Sequence, residues 1–399
     1  MRKTCGLDVH KDTVFCAIYN GKKQSEVKEF LTTTPGIYAM AEELQIQNVS
    51  EVAIESTGIY WKPVWNIFDE MGFRMMLVNP YLIKQMPGRK SDVKDAQWIA
   101  TLLHKGLLRG SLIPCKEIRE LRTYSRQYIK LQQKQTSVLQ QMERNLEMCG
   151  VRITSFVSNI SAKSVMEVIK KIIAGEDSAQ ALTTSVHARI INKHSREKII
   201  ESLTGFITPQ NRFTLSLALN EYNMLVDQSQ QCLLRMEQLC SQHYKIEMEL
   251  LQTIPGVSTI SSMIILAEIG GNMTAFENSG KFVGWVGLRP RNDESAGKYK
   301  STATTKGNKY LRTILVQVAW AASRTKGSFF KEKFNRLAIR KPRKKALIAI
   351  ARKIAVLIWH MLDKKQAYDP NKLVVLDPVK LETKLKYHKK EIEKLEKLT

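Results

Sequence analysis

Long apolar runs are missing from this 399-residue chain. No stretch approaches the roughly 20 uncharged apolar residues that a membrane span requires. The opening "MRKTCGLDVHKDT" also lacks the apolar core of a signal peptide. The expectation is a cytoplasmic protein with no membrane partner. Cysteine is scarce as well: Cys5, Cys16, Cys115, Cys149, Cys232 and Cys240 form no C-x-x-C pair and no metal-ligand spacing with the seven histidines. That excludes a zinc finger or ribbon and leaves the thiols as reduced packing residues. Acid is the third shortage, with 38 Asp and Glu against 62 Lys and Arg and a net charge of +24. A neutral small-molecule enzyme has no use for such a balance, whereas binding a polyanion does.

The basic surplus is uneven. Residues 1–110 carry 14 basic and 12 acidic side chains, a net +2, while 281–369 carry 22 and 5, a net +17. Chemistry at one end and most of the phosphate grip at the other is the division this predicts. With 43% hydrophobic residues the chain can build several cores. Pattern divides it into 1–112, 113–250, 251–369 and a basic helical tail, 370–399.

Residues 3–8 and 12–19 alternate apolar and β-prone residues around a short turn, and 24–32 can add a third strand. A helix over "TPGIYAMAEELQ", the strand "EVAIES", the helix "YWKPVWNIFDEMG" and the strand "FRMMLVN" follow. Three meander strands and then strand–helix alternation are the order of an RNase H-like mixed sheet, an α/β domain ahead of an all-α remainder. From Lys116 the pattern is helical. Tyr222, Leu225, Cys232, Met236, Leu239, His243, Ile246 and Leu250 keep a 3-4 spacing with Ser229 as a small polar gap, and Leu121, Tyr124, Tyr128, Leu131, Val138 and Met142 keep a similar rhythm. An intramolecular helical pair and an intermolecular coiled coil both satisfy that seam; His243 reads as a packed core residue. Residues 150–205 are helical but weakly patterned. A helix, a Pro-Gly turn and an apolar helix in "LLQTIPGVSTISSMIILAEIG" make a helix-hairpin-helix-like element whose turn N–H groups can face a phosphate. A polar loop, an apolar helix, the basic cluster "RKPRKK" and a Lys/Glu-rich helix over 379–399 complete the mainly helical C-terminal part.

Asp92, Asp95, Ile99 and Leu102 share one helical face, so two acids continue an apolar stripe. Ser91 as N-cap and acids in a first turn give one explanation. A second comes from Asp8, at the end of the first strand, and Glu55, at the end of the central one. Adjacent strands of a mixed sheet can bring these two together, with the helix of Asp92 and Asp95 packed on the same edge. Four converging carboxylates repel one another unless a cation offsets them. An all-oxygen set suits Mg²⁺ or Mn²⁺. Two such ions about 4 Å apart can hold the attacking and leaving oxygens of a phosphoryl transfer. His10 reads as a turn residue beside that site.

"GLDVHKDT", "ESTGIYWKPVW", "LVNPYLIKQMPGRKSDVKDAQWIATLLHKGLL", "TIPGV" and "GLRPRNDESAGKYKS…KGNKYLR" occur in the order found in the DEDD-type insertion-sequence transposases, the family usually called IS-one-ten, which the chain resembles over about 3–109 and 250–325. The resemblance implies a RuvC-like domain with its acidic tetrad at Asp8, Glu55, Asp92 and Asp95, a coiled-coil middle, and a C-terminal domain whose nucleophilic serine falls on Ser295 of "ESAGK". It also implies site-specific recombination guided by an element-encoded RNA. The expected oligomers, dimers or tetramers, complete one subunit's acidic site with another's serine. Asp293 stands where this branch has Asn, and Thr302 where Gly is common.

A Ser beside Gly in a polar loop is ordinarily a turn former. Here small Ala296 and Gly297 allow close approach of a DNA backbone, and Arg289, Arg291, Lys298 and Lys300 can offset phosphate charge. The loop has no general base, a gap that metal ions from the acidic domain can fill. Arg89, Lys90, Lys306, Lys309, Arg312, Arg340, Arg343, Lys344 and Lys345 extend the expected nucleic-acid contacts, with element ends and target DNA as partners. The leading expectation is a transposase working through a phosphoserine intermediate. A metal-dependent, Holliday-junction-type endonuclease using water is the alternative, and a non-catalytic nucleic-acid-binding protein the third class.

Overall fold

Alternation of apolar residues builds the first sheet of the computed structural model, which describes residues 2–55, 58–79, 92–291, 293–295, 298–301, 303–370 and a few tail positions. Two units separate, Met1–Ile113 and Pro114–Thr399. The first runs β1 (Thr4–Val9), β2 (Thr13–Tyr19), β3 (Lys28–Leu31), α1 (Thr34–Ile46), β4 (Glu51–Glu55), α2 (Trp61–Glu70), β5 (Arg74–Val78) and α3 (Asp92–His104). Its strands lie in the order β3-β2-β1-β4-β5. β1 pairs antiparallel with β2 and parallel with β4, β2 antiparallel with β3, and β4 parallel with β5. A meander extended by parallel strands is the RNase H-like arrangement read from the sequence. β3 is shorter than expected because Asn20 Oδ1 accepts from the Lys22 and Lys23 amides and holds a turn ahead of it.

Period-two alternation gives the sheet two apolar faces. Cys5, Leu7, Val9, Val52 and Ile54 pack with Ile37, Met40, Leu44, Val64 and Phe68 from α1 and α2. On the other face Ala53 and Val78 meet Ile99 and Leu103 of α3. That helix lies directly on β1 because position 6 is glycine: a Cβ there would meet Ala96 O at 2.2 Å and Ala100 N at 2.5 Å. Thr4 Oγ1 donates to Ala100 O at 2.9 Å and fixes the helix along the strand.

In the second unit α4 (Lys116–Met148) leads through a short 3₁₀ turn, α5 (Lys163–Ile173), α6 (Ala179–Thr183), α7 (Ala188–His194) and α8 (Arg196–Leu203) to α9 (Pro209–His243). α10 (Lys245–Gln252), α11 (Thr259–Ile269), α12 (Ser279–Val286), β6 (Asp293–Ser295), β7 (Lys298–Ser301), α13 (Lys309–Ala322), α14 (Phe329–Arg340) and α15 (Arg343–Lys364) follow. α4 and α9 form an antiparallel pair within one chain. Gln135 Nε2 donates to Leu225 O at 2.9 Å and to Ser229 Oγ at 2.8 Å, and at the far end Phe206 N donates to Cys149 O at 2.8 Å. Ser229, the small polar gap of the seam, is thus the buried acceptor that makes room for a glutamine.

The seam ends earlier than its spacing predicts. The helix breaks at Tyr244 (φ −137°, ψ 28°), whose hydroxyl lies 3.4 Å from Cys115 Sγ. His243, the last residue before the break, is exposed rather than core, and beyond the break Ile246 is 65% exposed. All six cysteines are free. Burial pushes the Cys240 thiol up to about 12, whereas Cys115 is exposed and not a packing residue.

α10, the Pro255–Gly256 turn and α11 form the helix-hairpin-helix-like element. Gly256 (φ +88°) touches α13 so closely that a Cβ would meet Ala322 N at 2.6 Å. Ser258 caps α11 in a capping box with Ser261. The polar loop after α12 is more ordered than its composition suggests: β6 and β7 pair antiparallel, with Ser295 opposite Lys298. The expected helix over 379–399 falls almost wholly outside the described residues. Among those described, no helix is long and apolar enough to cross a membrane.

Candidate active site

Register and packing decide where the acidic residues stand. β1 and β4 run parallel with Leu7 beside Ile54, so one further step sets Asp8 beside Glu55. Parity places both on the face that carries Gly6 and Ala53, the face α3 covers. Along that face Thr4 bonds Ala100 and Gly6 touches Ala96, Ile99 and Ala100. The contact therefore moves toward the start of α3 as β1 advances, so the helix runs with its N-terminal end toward the strand ends. Asp8 is buried, 7% exposed, while Glu55 and Asp95 are half-buried.

His10 sits in the β1–β2 turn, its amide donating to Thr13 O at 2.9 Å and its ring edge-on to Phe15. Its Nε2 lies 3.3 Å from Asp8 Oδ2 without the alignment of a hydrogen bond. Among the described residues no three His, Cys, Asp or Glu side chains close into a metal cage. The side chain of Asp92, Ser91 and the basic pair Arg89 and Lys90 lie outside the described residues.

The second group of expected residues surrounds the β6–β7 hairpin. Ser295, Lys298 and Lys300 are on its strands, and their side chains are outside the described set. The base is held by backbone bonds, Arg291 N to Ala303 O at 3.0 Å and Thr305 N to Arg289 O at 2.9 Å. Gly287 and Gly307 abut so tightly that a Cβ on Gly307 would meet Gly287 N at 2.4 Å. Where the chain leaves the hairpin, Asn308 Oδ1 caps α13 by accepting from Tyr310 N and Leu311 N. Its Nδ2 donates to Glu268 Oε2 at 2.6 Å.

Glu268 is a residue the sequence reading missed. It is fully buried in α11 and receives both Nε and Nη2 of Arg126 at 2.9 Å, while Arg122 donates to the carbonyls of Ala267 and Glu268. Burial lowers the Arg122 pKa. For Arg126 burial also works downward, but the bond to Glu268 and its charge raise the pKa on balance. A lone acid inside "SSMIILAEIG" was the available signal, since an unpaired carboxylate is not tolerated in an apolar helix.

Of the other basic residues, Arg289, Arg291, Lys306 and Lys309 are exposed and Arg312 is half-buried. Arg340, Arg343, Lys344 and Lys345 are exposed at the turn from α14 into α15.

A mixed sheet in this order, with acids ending its first and fourth strands, puts the first unit in the RNase H-like class. Residues 5–150 match the family model of the DEDD-type IS110 transposases, and 248–335 that of the Transposase IS116/IS110/IS902 family. Together the matches cover more than half of the chain, and the chain belongs to this transposase family. It is similar to the transposase for insertion sequence element IS1111A of Coxiella burnetii, 24% identical over 76% of this chain and 75% of that one. A "Probable family 20 transposase" of Pseudomonas aeruginosa is 28% identical over 30% of this chain; the match spans 36% of that relative, about a third of its length. Among solved structures, T. thermophilus RuvC in complex with a Holliday junction substrate covers 28% of this chain and 100% of its own at 14% identity and a TM-score of 0.23.

Proposed function

We propose that the protein is the recombinase of an insertion sequence, cutting DNA at the element ends and target and rejoining the strands through a phosphoserine intermediate. The observation that supports this reading is the parallel β1–β4 register, Leu7 beside Ile54, which carried one step further would bring Asp8 next to Glu55 on the sheet face that α3 covers. Four carboxylates with no sulfur donor fit a hard divalent cation, and a buried Asp8 with acidic neighbours favours having one. Asp8, Glu55, Asp92 and Asp95 would hold Mg²⁺ or Mn²⁺, as two ions. When bound, such ions stabilise charge on phosphoryl oxygens and ease deprotonation of a hydroxyl.

In the cutting step Ser295 Oγ loses its proton and forms a bond to phosphorus, the bond to one strand oxygen breaks, and that oxygen leaves as a free hydroxyl. In joining, a strand hydroxyl attacks the phosphoserine and restores the serine. The linkage keeps the phosphodiester energy, so rejoining needs no external source. Substrate grip falls to Arg289, Arg291, Lys298, Lys300, Lys306, Lys309 and Arg312, with Arg340, Arg343, Lys344 and Lys345 as a second cluster and Arg89 and Lys90, just ahead of Asp92 in the sequence, as further contacts. Arg343, Lys344 and Lys345 crowd the first turn of α15, where cations oppose the helix dipole, a placement that suits a bound polyanion. Element-encoded RNA as guide and a homo-oligomer as the working form belong to the same proposal, as does a cytoplasmic location, which the free cysteines suit.

Strand cleavage in Mg²⁺ tests the acidic site. Asp8→Ala, Glu55→Ala, Asp92→Ala and Asp95→Ala should each abolish it while leaving the circular dichroism spectrum unchanged. A folded variant that still cleaves would remove its residue from the proposed set.

A further inference from the structure

From Ser295 to Lys331 the chain has no Asp or Glu and eight Lys or Arg. Within that stretch α13 begins just past the hairpin base and buries one face, Leu311, Ile314, Leu315, Val318, Ala319 and Ala322. Lys309, Thr313, Gln317 and Trp320 recur every three or four residues and are all exposed, and Arg324, exposed just past the C-cap, extends this outward face to about 20 Å. The Arg324 guanidinium lies 4.2 Å over the Trp320 ring, and Trp320 stays 40% exposed. The stack holds the guanidinium over an open aromatic ring, so cation and ring are presented to solvent together.

We infer that this face of α13 is a recognition helix that docks in the major groove of duplex DNA. Charge selects a polyanion, and the side chains select its form. Thr313 and Gln317, in the middle of the face, are neutral: the Thr313 hydroxyl, which donates to Lys309 O at 2.8 Å, offers an acceptor, and Gln317 offers both donor and acceptor to base edges, above all to adenine N6 and N7. Lys309 and Arg324, about 20 Å apart at its two ends, are placed to reach backbone phosphates where the helix enters and leaves the groove. The Trp320 stack holds Arg324 in place before binding and so lowers the entropy lost on contact. An RNA duplex does not fit, because its major groove is too deep and narrow for side chains to read. The helix start is fixed by the Asn308 cap and its bond to Glu268, and its far end by the Gly256 contact. The inference rests on the proposed function only in taking DNA as the substrate.

Binding alone tests it, so a failed serine chemistry leaves the result readable. The full chain is mixed with a short DNA duplex of randomised centre, bound molecules are selected, and guanine N7 protection from methylation is mapped on them. The intact protein should protect N7, a major-groove atom. Thr313→Ala with Gln317→Ala should lose that protection and weaken binding to the selected duplex about tenfold or more, with little change in salt dependence. Arg324→Gln should instead reduce the salt slope by about one. Gln317→Glu, an exposed change that leaves packing intact, should also weaken binding. No N7 protection, unchanged binding by these variants, or losses confined to a matched RNA duplex would each overturn the inference.

Discussion

Asn308 bonds Glu268 at 2.6 Å and, through its other side-chain atom, caps α13. One residue thereby ties the exit of the serine hairpin to a carboxylate that also takes two bonds from Arg126 of α4. Removing one partner of a buried ion pair leaves the other uncompensated. Glu268→Ala should cost about 3 kcal/mol in urea unfolding, the low end of the range because the Arg126 side chain keeps 38% of its surface. Asn308→Ala, which removes an N-cap, should cost about 1 kcal/mol. A Glu268→Ala protein as stable as the parent would mean the network contributes only geometry.

Gly6 supports the acidic site by having no side chain. Backbone of α3 stands on the clash side, at 2.2 and 2.5 Å from an added Cβ, so no rotamer relieves it. Gly6→Ala should destabilise the first unit by about 3 kcal/mol and reduce metal-dependent cleavage. Thr4→Val, which deletes only the bond to Ala100, should cost about 1 kcal/mol. Equal effects of the two changes would contradict the close seating of α3.

The helical seam packs within one chain, so its disruption should act on folding and not on assembly. Leu225→Ala, at a position 3% exposed, should lower stability by about 2–4 kcal/mol while light scattering shows an unchanged mass. A fall in mass at unchanged unfolding midpoint would assign the seam to a subunit interface.

Local pattern made the sheet legible. Alternation placed each strand, and the positions of Asp8 and Glu55 at strand ends followed from it, because register in a parallel pair is a local repeat. What pattern could not supply was partner identity. The 3-4 spacing of Leu225 and Met236 is the same whether the other helix belongs to this chain or another, and contacts such as those of Gln135 with Leu225 and Ser229 show which. It also runs on through Ile246 and Leu250 because spacing does not see the break at Tyr244. Glu268 was hidden for the opposite reason: its neighbours look like a featureless apolar helix, and the arginines that balance it come more than 140 residues earlier. The serine segment read as a loop because its composition is polar, while its order comes from pairing at the base, Arg291 with Ala303 and Arg289 with Thr305.

The most direct measurement concerns Ser295. With a nicked DNA substrate that stalls the reaction, the unmutated protein should carry DNA on a peptide containing Ser295, seen as a slow band on a denaturing gel that protease removes. Ser295→Ala should bind the same DNA normally, form no such band, and neither cut nor join. Cleavage by Ser295→Ala, or free ends accumulating from the unmutated protein with no trapped adduct, would contradict the phosphoserine route and leave an endonuclease that uses water.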